Sequence, residues 1–156
     1  MAQAGQRTVA AAIGEVATAL AKMVVRDGEG ATKLVTITVR GGETEADAEL
    51  AAFAIANSPL FKTAIFGEDA NWGRVAMALG KSGAALDPSR FEIVLGGVLT
   101  CVDGTAVAFD EAVAARALAE PEIEVLVDLH LGDGEATVWT CDFSYDYVRI
   151  NGDYRS

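Results

Sequence analysis

At 156 residues the chain has the length of one ordinary domain. With 51% hydrophobic and 22% charged residues it has material for a core and lacks the composition of a disordered chain. Twelve basic against 23 acidic residues leave a formal charge of −11, which repels phosphate backbones and anionic lipid and sets nucleic-acid and membrane-surface binding aside.

Val9, Ile13, Val16, Leu20 and Met23 recur at helical spacing, and Asp27-Gly28 closes the run. The first residues and the Val/Ala-rich stretch behind them have the outline of a signal peptide. Glu15 interrupts the apolar run, however, so the pattern predicts an amphipathic helix over 8–26, with Thr8 at its start. No run reads as long and apolar enough to span a bilayer. Residues 34–40 are β-branched and alternating, a strand that Gly41-Gly42 breaks. Thr44 is placed to cap a helix running to about Asn57, with Asp47 three residues on. Ser58-Pro59 then has the chemistry of a new helix start, while 60–66 fits a short helix or a strand equally. Asp69 is expected to cap a helix that carries Trp72, Val75 and Leu79 on one face and ends at Gly80; the turn Asp87-Pro88-Ser89 follows.

From Phe91 the period changes to two. Residues 91–95, Gly96-Gly97 and 98–102 read as a β-hairpin with a two-residue turn. Asp110 caps a helix to about Ala119, before Pro121. Residues 123–129 alternate as a half-buried strand, and Gly132-Asp133-Gly134 is expected to turn it into a second hairpin with 137–143. Ser144 caps a last helix ending near Asn151-Gly152. Without a long linker or a repeat, the whole chain, 1–156, reads as a single α+β domain. The expected architecture is two-layered, a mostly antiparallel sheet built from hairpins and covered by helices.

Isolated side chains offer little chemistry. Cys101 and Cys141 with the single His130 make no zinc-ligand pattern; a disulfide between them is allowed, and buried reduced thiols are the preferred reading. His130, Ser144 and Asp128 invite a triad, but no Gly-x-Ser-x-Gly elbow is present and nothing places the serine beside the histidine. Residues 27–33, Asp-Gly-Glu-Gly-Ala-Thr-Lys, lack a third glycine, a Gly-Lys-Ser/Thr and the oxygen ligands of a calcium loop. What remains is the carboxylate of Glu29 between two glycines, a tight turn by spacing alone. Residues 67–74, Gly-Glu-Asp-Ala-Asn-Trp-Gly-Arg, concentrate polar groups at a helix start; an N-cap, an acid-to-Arg74 ion pair and a core Trp72 account for them. The tail, 142–156, carries three tyrosines, which predicts that it docks against something.

Three stretches together, 27–33, 62–74 (Lys-Thr-Ala-Ile-Phe-Gly-Glu-Asp-Ala-Asn-Trp-Gly-Arg) and 140–154 (Thr-Cys-Asp-Phe-Ser-Tyr-Asp-Tyr-Val-Arg-Ile-Asn-Gly-Asp-Tyr), resemble the ornithine acetyltransferases, also called glutamate N-acetyltransferases, of arginine biosynthesis. The likeness runs from about residue 12 to the end and keeps the family's order. It implies a cytoplasmic enzyme made as a precursor that cuts itself into α and β chains, the new threonine at the β-chain N-terminus serving as nucleophile. Acetyl passes from N-acetylornithine to that threonine and on to glutamate, and some members also take it from acetyl-CoA; no other cofactor and no metal is implied. Covalent catalysis of this kind splits one acyl transfer into two.

The resemblance extends only to the later, C-terminal part of the β chain. The nucleophile and the oxyanion-hole residues of the α chain are expected outside these residues, so no catalytic group is assigned here and the chain alone is expected to be inactive. Three substrate contacts of the family map onto Glu29, Asn151 and Ser156. A carboxylate suits the ammonium of ornithine, and an amide with a hydroxyl suits a carboxylate or an acetyl oxygen. Implied partners are the α chain, the remainder of the β chain and the small-molecule substrates, in an assembly of two α and two β chains, with no nucleic acid or membrane. The alternative is a non-catalytic amino-acid-binding or oligomerisation module of the same fold.

Overall fold

The computed structural model describes residues 2–154, with side chains from residue 8 onward. Its elements in chain order are α1 (Ala2–Arg26), β1 (Leu34–Gly42), α2 (Glu45–Ala56), α3 (Pro59–Phe66), α4 (Trp72–Gly80), β2 (Glu92–Leu95), β3 (Val98–Val102), β4 (Thr105–Ala106), α5 (Glu111–Leu118), β5 (Glu122–Asp128), β6 (Gly134–Cys141) and α6 (Tyr145–Asp153).

Helix starts follow from short polar side chains that accept the otherwise unpaired first-turn N–H groups. Thr44 accepts from the Asp47 N–H, Ser58 from Phe61, Asp110 from Ala112 and Val113, and Ser144 from Tyr147. The Ser58 cap with Pro59 at the first helical position makes 59–66 a helix and removes the strand alternative. The α4 cap is Asn71, not Asp69: the Asn71 side chain accepts from the Arg74 N–H, while the Asp69 carboxylate accepts from the Asn71 amide. Asp69 instead closes α3, donating its N–H to Ala64 O. Thr8 lies inside α1, which begins several residues earlier than its apolar periodicity suggested.

The strands form one sheet in the order β4-β3-β2-β5-β1-β6. The α+β class and the predominance of antiparallel pairs match expectation, but the sheet is mixed, because β1 runs parallel to β5. The Gly96-Gly97 hairpin forms as expected, with both glycines at positive φ. The second hairpin does not form, since β1 inserts between β5 and β6 and pairs with both. The chain leaving β5 crosses the end of β1, where Leu129 donates to Arg40 O, and Leu131 and Gly132 donate to Gly41 O. Gly41 has φ +68, and a side chain there would run into Asp128 and the backbone of His130, so only glycine lets the crossing pass this close. In that place β1 has hydrogen-bonding partners on both sides, and one face of it, Val35, Ile37 and Val39, is fully buried.

Their face, with Ile123, Val125, Val127 and Ile93, meets α2 and α4. Removing each large aliphatic group from water contributes about 1.5–3 kcal/mol. Helix α2 brings Ala48, Ala51, Ala52 and Ile55 onto β1 and β6, its small side chains letting the helix sit close to the strands.

α1 behaves differently. Its stripe of Val9, Ile13, Val16, Leu20 and Met23 is exposed, and the opposite side, with Lys22 over the Trp139 ring and Arg26 paired to Glu122, is the one against the sheet. Contrary to the sequence reading, Thr8–Arg26 is long and apolar enough to cross a membrane by length and composition, with a mean hydropathy of 1.6. Its exposed large apolar side chains nevertheless occupy one stripe, with Glu15, Thr18 and Lys22 on the other side, a pattern suited to packing against protein.

Candidate functional site

The loop 27–33 leaves α1 and enters β1 at the edge of the sheet where β6 ends and α6 begins. Two residues of that junction hold it. Asp142 is buried (2% exposed); its Oδ1 accepts from the backbone N–H groups of Thr32 at 2.8 Å and Lys33 at 2.9 Å, and its Oδ2 accepts from Thr32 Oγ1 at 2.6 Å. Ser144, while capping α6, donates its hydroxyl to Gly30 O at 2.5 Å. Gly30 has φ +68 and lies so close to α6 that a Cβ would sit 2.5 Å from the Tyr147 nitrogen.

Lys33 reinforces the same region from the core side. Its side chain is 8% exposed, and its ammonium donates to Leu118 O at 2.7 Å and Ile65 O at 3.1 Å and lies 3.6 Å from Glu68 Oε1. Those carbonyls close α5 and α3, where the partial negative ends of helix dipoles favour a cation. Lys62 lies 4.2 Å over the Phe143 ring and donates to Thr140 Oγ1, while Phe143 donates its N–H to Lys62 O. The motif at 62–74 therefore buttresses the junction that precedes α6.

Of the sequence-derived site residues, Glu29 is exposed at the tip of the loop and forms no ion pair with another described residue. Asn151 is exposed on α6 and donates its side-chain amide to Tyr147 O at 2.9 Å. The chain neighbour of Glu29 thus abuts the nitrogen of Tyr147 while Asn151 bonds the carbonyl of the same residue, so loop and tail share one edge of the molecule. The Glu29 and Asn151 side chains make no hydrogen bond to each other. Ser156 lies outside the described residues. A cleft of about 180 Å³ beside the loop, walled by Arg26, Thr32, Lys33 and Glu122 among others, is bridged by the Arg26–Glu122 pair.

The docking of the tail is only partial. Tyr147 stacks on Phe143 with ring centroids 4.2 Å apart, and Tyr145 meets Phe66 edge-on at 5.3 Å. Tyr145 is nevertheless 84% exposed, Tyr154 and Val148 are also exposed, and α6 buries no residue. Its first turn is anchored and the rest stands in solvent.

The remaining candidates separate. His130 sits where the chain leaves β5, its Nδ1 3.3 Å from Asp128 and its Nε2 3.4 Å from Glu92, whereas Ser144 follows β6 at the opposite end of the sheet. No triad forms. Arg74 pairs with no acid among the described residues and instead donates to Leu60 O and Thr63 Oγ1, tying α4 to α3, and Trp72 packs on the core. Both cysteines are free; burial, ahead of the nearby Asp103 and Glu92 charges, pushes the Cys101 thiol up. Asp142 and Lys33 are the residues that sequence reading passed over. The only signal was an acid directly after an apolar strand and a lysine directly before one.

The ArgJ family model matches residues 1–156. The arginine biosynthesis bifunctional protein ArgJ of Symbiobacterium thermophilum is 54% identical over 150 residues, covering 96% of this chain and 37% of that protein. The mitochondrial ArgJ of Schizosaccharomyces pombe is 51% identical, over 93% of this chain and 34% of its own length. The crystal structure of ArgJ from Bacillus halodurans superposes with a TM-score of 0.92 at 39% identity, over 95% of this chain and 70% of that one. The chain spans little more than a third of the curated relatives it matches. Sequence over nearly every residue and backbone over the same span agree: the chain belongs to the ArgJ family.

Proposed function

We propose that this chain is the substrate-contacting, C-terminal β-chain part of an acetyltransferase that moves the acetyl group of N-acetylornithine to glutamate. The threonine nucleophile comes from the part of the family's polypeptide that the chain does not span. Glu29 meets the substrate ammonium, and Asn151 with Ser156 meets a carboxylate or the acetyl oxygen. The observation that carries this reading is the anchoring of the Glu29 loop and of Asn151 to the same turn of α6. The openness of both side chains fits a pocket whose other walls belong to the rest of the enzyme.

The proposed partners are that remainder, α chain included, in an assembly of two α and two β chains, and the exposed stripe of α1 is the surface offered to it. Acetyl-CoA enters, if at all, as a second acetyl donor and not as a bound cofactor. The cytoplasm is the proposed compartment.

The test is a chimera in which this chain replaces the matching 150-residue segment of the Symbiobacterium protein. The chimera transfers acetyl and the isolated chain does not. Glu29→Gln in the chimera lowers kcat/KM for N-acetylornithine by roughly tenfold, the worth of a charge-assisted contact. An active chimera indifferent to Glu29→Gln refutes the assignment.

The same exposed stripe favours one other reading, a non-catalytic oligomerisation module. That reading requires the isolated chain to self-associate in light scattering and the chimera to lack transfer.

A further inference from the structure

We infer that Asp142 is a positioning residue for Glu29, an inference that rests on the reading of Glu29 as a substrate contact. Glu29 has no ion-pair partner of its own among the described residues, so its place is inherited from its loop. That loop is held across more than a hundred residues of sequence by three bonds to Asp142 and one from Ser144. A buried carboxylate is an expensive group to place in a fold, and no lysine or arginine among the described residues lies within ion-pair distance of Asp142. Its donors are two consecutive backbone N–H groups and the hydroxyl between them, all from Thr32 and Lys33. They orient the chain three and four residues beyond Glu29, and they do so from the residue that leads into α6. Asp142 therefore fixes the loop against the strand end from which α6 departs. Substrate contacts tolerate displacements of only about half an ångström.

The prediction concerns coupling. In the chimera, Asp142→Ala lowers kcat/KM for N-acetylornithine by about tenfold, as Glu29→Gln does, and the double variant falls no further than Glu29→Gln alone. Asp142→Asn restores most of the loss. Its remaining oxygen keeps both backbone donors, and its amide can donate to the Thr32 hydroxyl. Thr32→Val, which removes a single bond, gives a loss of roughly threefold that also vanishes in the Glu29→Gln background. This variant carries the test if circular dichroism shows that Asp142→Ala does not fold. Losses that multiply to about a hundredfold mark Asp142 as merely structural and overturn the inference while leaving the Glu29 reading intact. An active chimera in which Glu29→Gln has no effect defeats the Glu29 reading, and this inference falls with it.

Discussion

A methyl group added at Gly30 has nowhere to go. The residue sits at φ +68, where a side chain costs about 1–2 kcal/mol. An ideal Cβ there lies 2.5 Å from the Tyr147 nitrogen, 2.9 Å from the Asp146 carbonyl carbon and 3.0 Å from Ser144 Oγ. Two of these atoms are backbone, so relief requires the loop and α6 to separate, and separation breaks the Ser144-to-Gly30 hydrogen bond, worth about 1 kcal/mol. Gly30→Ala should therefore destabilise the chain by about 2–3 kcal/mol in urea unfolding followed by circular dichroism. For a chain of this size the melting temperature falls by about 4–12 °C. Gly14→Ala is the control. Nothing lies within 4 Å of its Cβ position, inside α1, and alanine there should be neutral or stabilising by up to about 1 kcal/mol. A Gly30→Ala protein within about 1 kcal/mol of the parent, or one indistinguishable from Gly14→Ala, would refute the claim that loop and helix are in contact.

Lys33→Met keeps the length of the side chain but takes the ammonium donor from Leu118 O and leaves Ile65 O with backbone donors alone, and should lower stability by about 1–3 kcal/mol in urea; a change below about 0.5 kcal/mol would count against the helix-end role. Acid stability provides a separate check. The Thr44 hydroxyl first, and the Ala85 N–H second, hold the Asp47 carboxyl below its ordinary 3.8, so the fold favours the charged form. That contribution is complete above the unfolded value and is lost as pH falls through the lower folded value. Thr44→Val should leave a flatter dependence of stability on pH below about 4, measured by urea titration at a series of pH values; an unaltered acid limb would contradict it.

What was legible in the sequence is what neighbouring residues decide among themselves. Thr44, Ser58, Asp110 and Ser144 bond N–H groups two or three residues away, and Gly96-Gly97 makes its own turn, so these features can be read from a few letters. Asn71 shows the limit of that reading. Asp69 and Asn71 are both good caps, and the choice fell to Asn71 because Asp69 is engaged in ending α3.

Strand order was not legible, because alternation tells which face of a strand is buried and not which strand lies beside it. The five residues between β5 and β6 suit a hairpin loop, and equally suit a step over the end of β1. β4, only Thr105–Ala106, is too short to show a period at all. The orientation of α1 was hidden for a different reason: its apolar stripe is real, but it faces away from the sheet. Within the candidate site, Glu29 and Asn151 came from the resemblance and not from spacing. Asp142 escaped notice because burial of a lone acid depends on donors more than a hundred positions away.

The account is tested most directly by a crystal structure of the Symbiobacterium chimera with ornithine bound. It predicts a Glu29 carboxylate oxygen about 3 Å from a substrate ammonium, with the Asn151 side chain reaching the same molecule. Ornithine bound elsewhere, with Glu29 facing solvent and the Asp142 bonds to Thr32 and Lys33 intact, would contradict it.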